Sequence, residues 1–290
     1  MKKKTIIIGG IILIIGCITV SIVQALVPDK ESNDHEIVEK PNQDEKTDEE
    51  EQQDQEENDD TGEIILKPDT PHNNNESSNN SETIEKEPFN PVVSLQQEVD
   101  NSYFDDSVFI GDSRTEGFMI YEDINSISYT HKGLMVDTIF TNPIVTQNGE
   151  KLTVMDALAN TTFNKVYIML GINETGWQSS DFFIQKYGEI IDDIKKINPN
   201  ATIYIESILP VTQSVSTNHS YIKKAKIDEY NQLLMKMAAE KQVYYLDISS
   251  VLSTSEGYLP DDAAADGIHL NKQYCDKWLQ YLKTHYIVKN

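Results

Sequence analysis

A serine, a histidine, an acid and a side-chain amide stand at three places along the 290-residue chain where their types and spacing suit nucleophilic chemistry. The first is Gly111-Asp112-Ser113, directly after the apolar run 107–111 (SVFIG). A serine on a tight strand-to-helix turn presents its hydroxyl to the crevice above the sheet. The helix N-terminus beneath it adds unpaired backbone N–H groups and the positive end of a dipole, where an oxyanion can be held. The second place is Gly171-Ile172-Asn173-Glu174, after the run 165–171 (KVYIMLG). An amide at that height can donate a hydrogen bond into the same crevice. The third is Asp266-Gly267-Ile268-His269. An acid three residues before a histidine on one loop can orient the imidazole, which can then take a proton from Ser113 and pass it to a leaving group. Asp112 reads as a turn-stabilising side chain. His131 has no acid three residues before it and ranks behind His269 as the base.

These residues need a frame that brings them to one rim. From about Pro91 onward, short apolar runs alternate with longer amphipathic ones. Runs 107–111, 165–171, 202–207 (TIYIES) and 243–247 (VYYLD) read as buried strands, with a weaker strand at 124–129 (INSISY). Between them Phe183, Tyr187, Ile190, Ile191 and Ile194 recur on one helical face. So do Ile227, Tyr230, Leu234 and Met237, and then Tyr274, Trp278 and Leu282. Strands alternating with helices predict an α/β fold with a mostly parallel sheet covered on both faces. Asn148-Gly149 predicts a small hairpin inserted on the edge. In such sheets ligands bind beyond the carboxyl ends of the strands, where the three motifs fall.

At these residues a resemblance is plain. The run 109–117 (FIGDSRTEG) resembles the first block of the SGNH (GDSL-like) hydrolases, 171–174 their third block and 266–269 their fifth. The resemblance implies a flavodoxin-like, three-layer α/β/α sandwich, the SGNH hydrolase fold. It implies Ser113 as nucleophile, His269 as general base and Asp266 as its orienter. The oxyanion hole would be the N–H groups of Ser113 and Gly133 with the Asn173 amide, Gly133 standing for the second-block glycine. Where the family ends its third block Asn-Asp, this chain has Asn173-Glu174 and keeps the amide.

Two further residues bear on substrate. Arg114, beside the nucleophile, either reads a substrate carboxylate at the rim or sits in a surface ion pair. Trp177 either stacks on a sugar ring at the rim or packs against a neighbouring loop. No HExxH, CxxC, GxxxxGK or GxGxxG run occurs, so the sequence asks for no metal and no cofactor.

Three segments follow from composition: an N-terminal apolar segment 1–27, an acidic linker 28–90 and a hydrolase domain 91–290. Lys2-Lys3-Lys4 precede an uncharged run, 5–27, long enough to span a bilayer. With lysines on the cytoplasmic side, the expectation is a single-pass bacterial membrane anchor with the catalytic domain extracytoplasmic. A lipoprotein signal lipidated at Cys17 is the alternative. Most of the formal net charge of −24 lies between Pro28 and Asn90, in a segment too polar to fold alone. So acidic a chain, without a basic stripe, is not expected to bind nucleic acid.

The expected activity is that of a serine esterase acting on an O-acylated, above all O-acetylated, carbohydrate or another cell-envelope ester, with that glycan or a small ester as partner. Two other readings use the same fold: an O-acyltransferase that passes the acyl group to a glycan hydroxyl, and a non-catalytic glycan-binding module. The oligomeric state is not legible.

Overall fold

In the computed structural model, which describes residues 88–288, the apolar runs pair into one sheet. Strand β1 is Ser107–Gly111, β2 is Ile127–Thr130, and the two short strands Val145–Gln147 (β3) and Glu150–Leu152 (β4) follow. Then come β5 (Lys165–Met169), β6 (Thr202–Glu206) and β7 (Tyr244–Leu246). The main sheet has the order β2-β1-β5-β6-β7, and every neighbouring pair is parallel. The sheet starts at β1, one strand in from the edge, steps outward to β2 and then returns past β1 to build the other side. That reversal opens a crevice between the carboxyl ends of β1 and β5.

The helices are Ser113–Tyr121 (α1), Val154–Ala159 (α2), Ser180–Ile197 (α3), Gln213–Asn218 (α4), Lys224–Lys241 (α5), Ser249–Leu252 (α6) and Lys272–Thr284 (α7). On one face of the sheet, α2, α3 and α5 pack onto Val108, Ile110, Val166, Ile168, Ile203 and Ile205. On the other, α1, α6 and α7 pack onto Phe109, Tyr167, Met169 and Tyr204. Odd and even strand positions thus feed different cores, as the two-residue period of a strand requires. This is the three-layer α/β/α sandwich, and all the helix-face residues named from periodicity lie in one core or the other.

In-register parallel pairing also aligns aromatics. Phe109 lies opposite Tyr167 and Tyr167 opposite Tyr204. Their rings stack at 4.6 and 4.7 Å, close to the strand spacing. Each such pair adds about 0.5–1.5 kcal/mol beyond its buried area.

The differences from expectation are local. Asn148 and Gly149 turn a hairpin with φ of 52° and 84°, but β3 and β4 form their own two-stranded sheet and do not extend the edge of the main one. The weak strand begins at Ile127, because Ser126 N–H bonds back to the Ile124 carbonyl. The 165–171 run leaves the sheet after Met169. Gly171 has φ of 135°, and a Cβ there would lie 2.3 Å from Ile208 Cδ1. At the far edge, Val93 N–H bonds to the Tyr245 carbonyl and Tyr245 N–H to that of Pro91, which covers part of the open edge of β7.

The single-pass membrane placement is corrected. No helix among the described residues is long and apolar enough to cross a membrane. The two longest, α3 and α5, each carry a charged face opposite the buried one. The apolar segment 1–27 and the linker up to residue 87 lie outside the described residues, and the anchored, extracytoplasmic placement is not carried further.

Candidate active site

Asp112 ends β1 and caps α1. Its Oδ1 accepts the Arg114 N–H at 2.9 Å, which leaves Ser113 as the first helical residue with its hydroxyl free. Gly111 makes the turn feasible: a Cβ there would lie 2.0 Å from Thr115 Oγ1 and 2.9 Å from the Met169 carbonyl. Ser113 Oγ lies 2.8 Å from His269 Nε2, and His269 Nδ1 lies 2.6 Å from Asp266 Oδ2. Asp266 Oδ1 accepts the N–H groups of Ile268 and His269, both at 2.9 Å. Burial opposes ionisation of Asp266, but the His269 N–H, the His269 ring and the Ile268 N–H outweigh it and hold the acid at about 2. An ionised Asp266 only accepts, so the Nδ1 proton points to it and Nε2 is left to accept from Ser113. Three residues separated by up to 156 positions thus form one hydrogen-bonded line.

The amide side is built from two adjoining loops. Asn173 opens the short 3-10 turn Asn173–Gly176 and gives one amide hydrogen to the Leu134 carbonyl at 3.0 Å, leaving the other available. Glu174, fully buried, accepts the Val136 N–H at 2.8 Å. These bonds lay the 133–136 segment along the Asn173 turn. Gly133, exposed with φ of 79°, begins that segment and is brought to the same side through its neighbour Leu134.

Arg114 departs from the rim reading. Its side chain is fully buried, 3.5 Å from Asp112, and its Nη1 donates to the Leu209 carbonyl at 3.1 Å. It clamps the 209–212 segment beneath the Ser113 turn. That segment in turn holds the 266–269 loop, since Thr212 N–H bonds to the Gly267 carbonyl. Trp177 is half-buried, packed partly on the core and 5.4 Å from the Phe182 ring.

Sequence reasoning missed the Arg114 clamp and the Glu174 tie. The available signal was charge inside an apolar stretch: Arg114 and Glu174 each follow a buried strand by only a few residues.

Glu174 carries a further consequence, shared with Glu206 at the end of β6. Burial pushes both carboxyls up to about 8. Each folded carboxyl keeps a proton that the unfolded chain releases near pH 4.5, so stability falls as pH rises from about 4.5 to 8. Trp278 Nε1 donates to one oxygen of Glu206, and the other has no partner among the described residues. Glu206→Gln is therefore expected to flatten the decline and raise the urea midpoint at pH 8.5 while leaving it unchanged at pH 4. An unaltered slope in the variant would return Glu206 to an ordinary titration.

Among solved structures the chain is similar to several proteins. A protein from Streptococcus pneumonia, provisionally described as a platelet activating factor, superposes with a TM-score of 0.51 at 20% identity, over 63% of this chain and 87% of that one. A carbohydrate esterase family 3 protein from Talaromyces cellulolyticus gives 0.46 at 17% identity, over 61% and 94%. The carbohydrate acetylesterase Est24 from Sinorhizobium meliloti gives 0.44 at 15%, over 61% and 96%. At 20% identity the first of these likenesses concerns the fold alone. No curated protein matches the chain. The family model that does match, GDSL-like Lipase/Acylhydrolase, runs from residue 109 to residue 274, from the strand that delivers Ser113 to the helix that follows His269. With more than half its length inside that match, the chain belongs to the GDSL-like lipase/acylhydrolase family and is an ester hydrolase of the SGNH type.

Proposed function

We propose that the chain is a serine esterase that removes short acyl groups, acetyl above all, from hydroxyls of a carbohydrate. The observation that carries this reading is the hydrogen-bonded line from Ser113 Oγ through the His269 ring to Asp266. Ser113 Oγ attacks the ester carbonyl as its proton passes to His269 Nε2. The negative oxygen of the tetrahedral intermediate is met by the N–H groups of Ser113 and Gly133 and the free amide hydrogen of Asn173. Collapse expels the sugar alkoxide, which takes the proton from His269 and leaves an acyl-serine. Water, deprotonated by the same nitrogen, attacks that ester, and the carboxylic acid departs as Ser113 recovers its proton. The hydrogen-bonded pair stays open to solvent, with His269 and Asp266 side chains 45% and 54% exposed. Such a site offers little apolar wall to a long acyl chain and favours a short one.

The test uses the full chain with a fluorophosphonate probe and p-nitrophenyl esters of two to ten carbons. Ser113 is expected to be the labelled residue, and acetate the preferred acyl group. A folded Ser113→Ala variant as active as the wild type would overturn the reading. With a glycan acceptor present, transfer of the acyl group in place of its release would move the function to the O-acyltransferase that uses the same residues.

A further inference from the structure

Beyond the Asn173 turn lies a pocket of about 390 Å³, lined by Met135, Asp137, Trp177, Gln178, Ser179 and Phe182. Its walls are the two loops that carry the candidate oxyanion donors. Met135 follows Leu134, whose carbonyl holds the Asn173 amide, and Asp137 follows Val136, whose N–H holds Glu174. Trp177 closes the 3-10 turn that Asn173 opens, its N–H bonded to the Glu174 carbonyl at 2.8 Å. At about 2 Å rise per residue, Trp177 stands roughly 8 Å from Asn173. That is about the distance from an ester carbonyl to the sugar ring next to the one bearing it.

The lining selects the occupant. Trp177 and Phe182 stand at 5.4 Å with their planes tilted 40°, and Phe182 is 44% exposed, so both offer aromatic surface. Beside them stands Asp137: its Oδ1 is shut off from solvent with no hydrogen-bond partner among the described residues, and its other oxygen, which is not shut off, can accept from a ligand hydroxyl. An alkyl chain seated here would further desolvate that carboxylate and return no hydrogen bond. A phosphate or carboxylate ligand would meet its charge. A neutral ring with an apolar C–H face and peripheral hydroxyls satisfies both halves of the pocket.

We propose that this pocket is a glycan subsite, in which a pyranose ring of the acyl-bearing substrate stacks on Trp177 and hydrogen-bonds Asp137. The assignment rests on the esterase reading for its relation to the acyl group, and the experiment separates the two. The first readout is the ratio of kcat/KM for acetylated xylo- and chito-oligosaccharides to that for p-nitrophenyl acetate. Trp177→Ala is expected to lower this ratio about 10- to 100-fold through KM, and Trp177→Phe to keep most of it. The second is binding without turnover. The chain has two tryptophans and Trp278 is fully buried, so xylotetraose or chitotetraose added to Ser113→Ala protein should change the Trp177 fluorescence, and Asp137→Ala should weaken that response. An unchanged ratio in Trp177→Ala, or a larger loss on p-nitrophenyl decanoate than on the glycan, overturns the subsite. Saturable oligosaccharide binding in a protein that hydrolyses no ester would keep the subsite and sink the esterase reading.

Discussion

Replacing His269 with alanine is expected to lower kcat for p-nitrophenyl acetate about 10⁵- to 10⁶-fold in a protein that still folds. The size of the loss follows from the geometry. Serine is a weak nucleophile until something accepts its proton, and the nitrogen 2.8 Å from Ser113 Oγ is placed to do so. The fold should survive because the His269 side chain is 45% exposed and its side-chain hydrogen bonds go to Ser113 and Asp266. Near-wild-type circular dichroism and thermal midpoint would establish that. The residual rate should match that of Ser113→Ala, and the double variant should be no slower, because the two residues act as one unit. A folded His269→Ala enzyme within tenfold of wild type would remove the imidazole from the reaction.

Much of this site was legible because its parts sit where local rules are strong. Ser113 follows a run of five residues that reads as a buried strand, and Asp112 before it is a good helix cap. Asp266 and His269 declare themselves by a spacing of three on one loop. The layering of the sheet was legible, since strands that are apolar throughout need helices on both faces. What stayed hidden depends on contacts between distant segments. Nothing local says that Arg114 turns inward to the Leu209 carbonyl, because the same residue on the opposite face of the turn would reach solvent. Glu174 reads as a conservative change after Asn173, and only the fold shows its carboxyl shut away against the Val136 N–H. The hairpin at Asn148-Gly149 was legible as a turn but not as to where it packs, since turn chemistry fixes local geometry alone.

These hidden contacts bear on catalysis through position. The Ser113 turn and the 266–269 loop touch the same segment: Arg114 holds it at Leu209 and Gly267 receives the Thr212 N–H three residues later. Gly267 has φ of 77°, and a Cβ there would lie 2.4 Å from Thr212 Oγ1, so the 266–269 loop is fitted closely to its support. The distance between serine and imidazole is thus set by backbone on the far side of the crevice as well as by the two side chains.

Asp266→Asn is expected to cost about 10⁴-fold in kcat with little change in stability, for a reason that separates orientation from charge. The acid receives three hydrogen bonds. Two backbone N–H groups converge on Oδ1, and the ring Nδ1–H meets Oδ2. In asparagine only one of these atoms can be oxygen. The two backbone donors claim it, which puts the amide NH₂ where Oδ2 stood. Nδ1 then faces a donor and must accept, so the ring proton moves to Nε2 and points at Ser113 Oγ. The imidazole is held in place but in the tautomer that cannot take the serine proton. Because the backbone contacts persist, the thermal midpoint should stay near that of the wild type, whereas Asp266→Ala, which loses them, should lower it. Nitrogen-15 chemical shifts of His269 would read the tautomer directly. A folded Asp266→Asn enzyme that keeps the proton on Nδ1 and loses less than tenfold in kcat would show that the acid supplies neither the orientation nor the field argued for it.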